Sequence, residues 1–114
     1  MVPGRTSQLA QMRKGALEYC VLALLRDGER YGFELVRELS AAELVTSEGT
    51  IYPLLARLRQ DGAVETSWKE SSQGPPRRYY KLTTEGKAAL EFFSAEWQRF
   101  SAAVNGILNA GGGR

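Results

Sequence analysis

Toward the C-terminus, Leu90, Phe93, Trp97, Phe100, Val104 and Ile107 follow one another at separations of 3, 4, 3, 4 and 3 residues. That spacing sets six large apolar side chains along one seam of a helix, the a and d positions of a heptad pattern. With Thr83 as N-cap, Glu85 in the first turn and Asn109 ahead of a glycine run as its end, the helix spans about 26 residues. At 1.5 Å per residue that is on the order of 40 Å. The chain has 114 residues, one small domain by size, and the remainder is too short to cover such a seam. Monomers rarely leave an apolar patch of that extent in water. A homodimer is therefore expected, its interface formed by Leu90, Phe93, Trp97, Phe100, Val104 and Ile107 together with Leu17 of the first helix.

Composition narrows the chemistry. The sequence contains no histidine and a single cysteine, Cys20. Ser–His and Cys–His nucleophile pairs are thereby excluded, as are the usual zinc clusters and any internal disulfide framework. No phosphate loop and no carboxylate pair in a recognisable setting is present, so an enzyme is not expected, and neither a metal nor another cofactor. No apolar run reaches the length of a membrane span, and Met1–Arg13 lacks the apolar core of a secretory signal. A cytoplasmic protein is the expectation. Fifteen Lys and Arg against thirteen Asp and Glu give a net charge of +2, too mild to identify a polyanion partner without knowing where the charges lie.

Hydrophobic periodicity places them. Residues 1–12, with no sustained period, are expected to form a flexible arm. Leu17, Val21, Leu24 and Leu25 share one helical face, with Cys20 as a small buried neighbour, and Asp27-Gly28 ends that helix. A second helix runs from about Tyr31 to Glu43 with Leu35, Val36 and Leu39 inward. Ser47 then offers a cap, and Ile51, Leu54, Leu55 and Leu58 recur at i, i+3, i+4, i+7 until Asp61-Gly62. Pro53 is awkward there. Either the helix starts later, near Thr50, or it bends at its beginning. Val64–Lys69 and Arg77–Leu82 alternate as strands around a loop of Ser71–Pro76, forming a hairpin. In that hairpin Trp68 is expected to pack at the base.

Helix, helix, turn, helix and hairpin is the order of a winged helix-turn-helix, an α+β, mostly helical fold, here extended by a long C-terminal dimerisation helix. In such a module the third helix enters the major groove of DNA and the hairpin lies along the backbone. With the apolar stripe of the third helix turned inward, Gly49, Pro53, Ala56 and Gln60 point outward. Thr50 and Arg57 flank them on one side, Tyr52 and Arg59 on the other. Small residues allow close approach to the groove floor, Thr50 and Tyr52 can donate to phosphates, and Arg57 can reach a base edge. Lys69, Arg77, Arg78 and Lys81 concentrate positive charge on the hairpin against Glu65 and Glu70 alone.

Four fragments carry a resemblance: Tyr31-Gly32-Phe33-Glu34-Leu35, Ser47-Glu48-Gly49-Thr50-Ile51-Tyr52-Pro53, Gly74-Pro75-Pro76-Arg77-Arg78-Tyr79-Tyr80 and Leu82-Thr83-Thr84-Glu85-Gly86. In this order they resemble the PadR family of bacterial transcriptional regulators, of the short type with a single C-terminal helix, over roughly Met12 to Asn109. The resemblance implies a homodimeric DNA-binding protein, usually a repressor. It also accounts for Pro53, since family members carry a proline in the reading helix. Arg78 stands where lysine is frequent, leaving the wing charge unchanged.

The expected organisation is an arm over 1–12, a winged helix-turn-helix DNA-binding domain over 13–82, a dimerisation helix over 83–109 and a flexible tail over 110–114. The expected partners are double-stranded operator DNA, bound as an inverted repeat, and a second copy of the chain. Ser47, Gly49, Thr50, Tyr52, Pro53, Arg57, Lys69, Arg77, Arg78 and Tyr79 are the candidate DNA contacts. Trp97 is either an anchor of the dimer seam or, with its mate, the wall of a cleft for a small aromatic effector. The competing reading is a winged-helix protein-interaction module that does not bind DNA.

Overall fold

In the computed structural model, residues 15–44 and 48–110 are described. The expected N-terminal arm, Ser47 and nearly all of the expected tail lie outside them. Among the described residues, four helices and a three-stranded antiparallel sheet follow in the order α1 (Leu17–Leu24), β1 (Arg30–Tyr31), α2 (Gly32–Ala41), α3 (Glu48–Gln60), β2 (Val64–Ser71), β3 (Gly74–Leu82) and α4 (Thr84–Ala110). The sheet order is β1-β3-β2.

The core is the sum of the apolar stripes. Val21, Leu22 and Leu25 from the α1 region meet Leu35, Val36 and Leu39 of α2 and Ile51, Leu54, Leu55 and Leu58 of α3. Val64, Tyr80 and Leu82 close it from the sheet and Leu90 from α4. Each stripe sits at helical or alternating spacing, so burying it brings the elements together and removes apolar surface from water.

Local chemistry sets the boundaries. The Glu34 carboxylate accepts a hydrogen bond from the Tyr31 backbone N–H at 3.0 Å, which fastens the start of α2. Helix α2 stops at Ala41, short of the expected Glu43. There the Leu44 N–H donates to the Leu39 carbonyl while Glu43 takes a φ of 61°, so the chain turns out through a left-handed residue. Helix α3 ends in the same manner, with Ala63 N–H on the Leu58 carbonyl and Gly62 at φ 81°. It begins at Glu48, which places Pro53 inside it as the sixth residue. The late start near Thr50 is thus excluded.

The hairpin differs from expectation in one respect. Pairing runs from Val64↔Leu82 to Lys69↔Arg77 and resumes at Ser71↔Gly74 with a bulge between, so the turn is only Ser72–Gln73, and Gly74, Pro75 and Pro76 belong to β3. The bulge accommodates the prolines, which have no N–H to give to a ladder. Strand β1, with Arg30↔Tyr80 and Tyr31↔Tyr79, was not foreseen, because two residues are too few to show an alternation.

The root of α4 is locked to the end of α3. Thr83 Oγ1 accepts from the Gly86 N–H at 2.9 Å and donates to the Gly62 carbonyl at 2.6 Å, while the Thr83 N–H reaches the Ala63 carbonyl at 3.1 Å. A Cβ on Gly86 would lie 2.0 Å from that Ala63 oxygen, so glycine alone permits this approach. Gly86 and Leu90 are the buried residues of α4. From there the helix runs out of the core, and the molecule extends 58 Å along its longest axis.

Candidate nucleic-acid interface

On α3, Gly49, Thr50, Tyr52, Pro53, Ala56, Arg57, Arg59 and Gln60 are all exposed, opposite a stripe in which Ile51 and Leu55 are fully buried. Tyr52 is seated against α2: a Cβ on Gly32 would lie 2.9 Å from the Tyr52 ring. The glycine of the Tyr31-Gly32-Phe33 fragment therefore makes room for this tyrosine. Arg57 turns toward α1, with Nη2 3.2 Å from Glu18 Oε1.

On the hairpin three cations stand on aromatic rings. The Arg77 guanidinium lies 4.5 Å over the Tyr31 ring, Arg78 lies 5.5 Å over Trp68 and the Lys69 ammonium 4.8 Å over Tyr79. A ring face attracts a cation without neutralising it, so the aromatic supports orient Arg77 and Arg78, both half-buried, without cancelling their charge, and Arg78 Nε is enclosed with no hydrogen-bond partner. Lys69 differs, being also paired with the Glu29 carboxylate. Tyr79 is half-buried and tilted against Tyr31 at 5.7 Å, which makes it a platform for Lys69. Neighbouring residues of a strand face opposite sides of the sheet, so Arg77 and Arg78 present their charges on both faces of the hairpin.

Trp68 corrects its expectation. It is 65% exposed and packs no base; instead it supports Arg78, its direct cross-strand partner. A turn placed at Ser72–Gln73 makes this pairing legible, since the register then sets Trp68 beside Arg78. Glu18 and Glu29 were missed for a different reason. Each pairs with a cation about 40 residues away, which no local pattern signals.

A second feature lies between α1 and α4. A groove of about 410 Å³ is lined by Leu17, Tyr19, Cys20, Leu44, Phe93 and Trp97 among others. Tyr19 and Phe93 stack at 4.1 Å within 2° of parallel, Phe93 lies 5.8 Å from Trp97, and Trp97 lies 6.2 Å from Phe100. Burial pushes the Cys20 thiol pKa up. Of the residues expected in a dimer seam, Leu90 is consumed by the domain core at 5% exposure, whereas Trp97, Phe100 and Ile107 are 45%, 63% and 79% exposed. Phe93, Leu17 and Val104 are half-buried. Leu90 turns inward because it sits in the turn of α4 that still touches the core. Among the described residues no acidic, cysteine or histidine cluster could hold a metal ion, and no helix is long and apolar enough to cross a membrane.

Comparison with known proteins bears on this arrangement. Residues 21–92 match the model of the transcriptional regulator PadR-like family. A transcriptional regulator of Mycobacterium tuberculosis is 35% identical over 82 residues, covering 72% of this chain and 76% of the relative. A PadR-like transcription factor from Bacteroides fragilis is similar in structure, with 46% identity, a TM-score of 0.73, and coverage of 86% of this chain and 95% of that one. Bacillus subtilis PadR, solved in complex with operator DNA, matches at 26% identity and a TM-score of 0.63 over 69% of this chain and 46% of its own.

Proposed function

The chain belongs to the PadR-like family of transcriptional regulators, DNA-binding proteins and not enzymes, and from that premise we propose that it is a repressor. In this reading it grips an inverted-repeat operator as a homodimer and lets go when an effector or stress signal acts on it. The observation that carries the reading is the set of hairpin cations mounted on rings. Arg77 and Arg78 are half-buried against those rings and carry no carboxylate partner there, which suits contact with phosphates along the duplex. The exposed face of α3 then meets the major groove, where Thr50 and Tyr52 reach phosphates and Arg57 a base edge. Gly49 and Pro53 keep the centre of that face low. Ser47, Lys69 and Tyr79 complete the candidate contact set. The similar Bacillus subtilis PadR forms a complex with operator DNA, which supports the same kind of partner for this chain.

The homodimer rests on the exposed side chains of Trp97, Phe100 and Ile107, with Val104, Phe93 and Leu17 at their margin. Two-fold symmetry sets the reading helices one turn of DNA apart. The groove beside Trp97 is apolar and ring-lined, and a flat aromatic molecule stacking there is the effector this chemistry fits.

The test is fluorescence anisotropy on a labelled duplex from the gene's own upstream region, with a scrambled duplex of equal length, at low and near-physiological salt. Preference for the upstream duplex that survives the higher salt is expected. Arg77→Ala should weaken both duplexes alike, whereas Arg57→Ala should weaken the preferred one more. Equal losses on the two duplexes would remove Arg57 from base reading. Absence of binding even at low salt would favour the protein-interaction module.

A further inference from the structure

The cations assigned to DNA fall into two kinds. Arg77 and Arg78 rest on neutral rings and keep their full charge. Arg57 and Lys69 are each held by a carboxylate of the same chain, Arg57 by Glu18 in the first turn of α1 and Lys69 by Glu29 just ahead of β1. Both pairs join segments about 40 residues apart, and both tie a DNA-facing element to a part of the body outside the recognition helix and the hairpin. Their side chains are partly in water, at 56% and 25% exposure for Arg57 and Glu18 and 49% and 31% for Lys69 and Glu29. Pairs in such settings add little to folding. Their effect falls instead on whatever else the cation could bind.

A phosphate arriving at Arg57 or Lys69 must first displace a carboxylate. We propose that Glu18 and Glu29 are autoinhibitory residues, intramolecular competitors that hold Arg57 and Lys69 away from random DNA and must be displaced by a duplex presenting acceptors in register. This rests on the reading of Arg57 and Lys69 as DNA contacts. The ring-mounted arginines then supply attraction to any duplex, and the carboxylate-held cations add their contacts only where the fit is good. A specific site, whose acceptors arrive together in the right geometry, parts the pairs and bears the cost of doing so, while a random site offers a stray phosphate that exchanges one anion for another at no advantage and leaves them closed. On random DNA the withheld cations also neutralise no phosphate, which lowers the number of counterions released on binding.

The experiment compares wild type with Glu18→Gln, Glu29→Gln and the double variant on the upstream and scrambled duplexes, across a salt series. Glu91→Gln serves as control, since Glu91 is exposed on α4 and its loss changes the net charge equally. The expected result is a Kd on the upstream duplex tightened on the order of two- to fivefold per variant. The logarithmic salt slope on the scrambled duplex should steepen by up to about 0.9 per freed cation. The upstream duplex should tighten more, because in wild type only that complex bears the full cost of parting the pairs, so that the ratio between the two rises. Glu91→Gln should leave the ratio unaltered. Equal tightening on both duplexes, or none on either, would overturn the inference while leaving the regulator intact. A wild-type protein without preference between the duplexes would overturn the regulator reading itself, and this inference with it, before any variant is compared.

Discussion

Helices α3 and α4 carry apolar stripes of the same periodicity and end in opposite states. In α3, Ile51, Leu55 and Leu58 are at most 2% exposed, whereas Trp97, Phe100 and Ile107 of α4 are 45% to 79% exposed. The difference is not one of hydrophobicity, since the exposed stripe has the larger side chains. It is one of reach. Helix α3 crosses the body, with elements packed against its inner face, while α4 beyond Leu90 keeps Phe93 on the Tyr19 ring of α1 and leaves Trp97, Phe100 and Ile107 largely uncovered by the described residues. The comparison teaches that helical spacing specifies a face to be covered, and chain length decides whether the chain can cover it. Where it cannot, the unmet stripe becomes a binding surface.

The contrast can be broken most forcefully from the α3 side. Leu55→Ala empties a fully buried position and should lower stability by about 2–5 kcal/mol in urea denaturation; a loss below about 1 kcal/mol would mean the body is no closed core. Next comes the junction between the two regions. Gly86→Ala drives a methyl group into the Ala63 carbonyl and should cost about 1–3 kcal/mol by the same measurement, since backbone on both sides must give way.

Substitution on the open stripe should act elsewhere. Trp97→Ser combined with Phe100→Ser should raise the dimer dissociation constant at least about tenfold in analytical ultracentrifugation. The unfolding free energy of the isolated body should shift by only about 0.5 kcal/mol. Unchanged sedimentation would show that the stripe is not the seam.

The smallest effect concerns Cys20, at the border of the two regions. Its thiol pKa is raised by burial, so alkylation of the native protein at mildly alkaline pH should be slower than after unfolding in urea. The linked stability follows the same direction. In the unfolded chain the thiol ionises at lower pH, so the contribution is whole below the unfolded pKa and declines as pH rises toward the higher folded one. Cys20→Ala should abolish that decline in a pH series of denaturation curves.

Much of the body was legible because its signals are local. The i, i+3, i+4, i+7 run of Ile51 to Leu58, the Asp61-Gly62 stop and the Thr83 cap each depend on residues within a few positions. The structure shows them all in place. Strand β1 was not legible, nor was the short turn at Ser72–Gln73, because sheet pairing depends on a partner strand and a bulge. Gly86 appeared only as part of a motif. Its reason, the closeness of the Ala63 carbonyl, exists only once α4 has docked on the end of α3. At the candidate site the sequence named the cations correctly as a charged ribbon, but not their supports. Tyr31 under Arg77 and Trp68 under Arg78 require the register of three strands.

By itself, then, the sequence determined where the helices lie, which of their faces are apolar, that the long last helix carries an apolar stripe, and that positive charge gathers on a hairpin. These follow from side-chain spacing along a helix or strand, which neighbouring residues decide among themselves. Only the tertiary structure decided that Leu90 belongs to the core while Trp97 does not, and which cations stand on rings and which are held by Glu18 and Glu29. Those outcomes depend on segments about 40 residues apart meeting in space, and no local pattern encodes such a meeting.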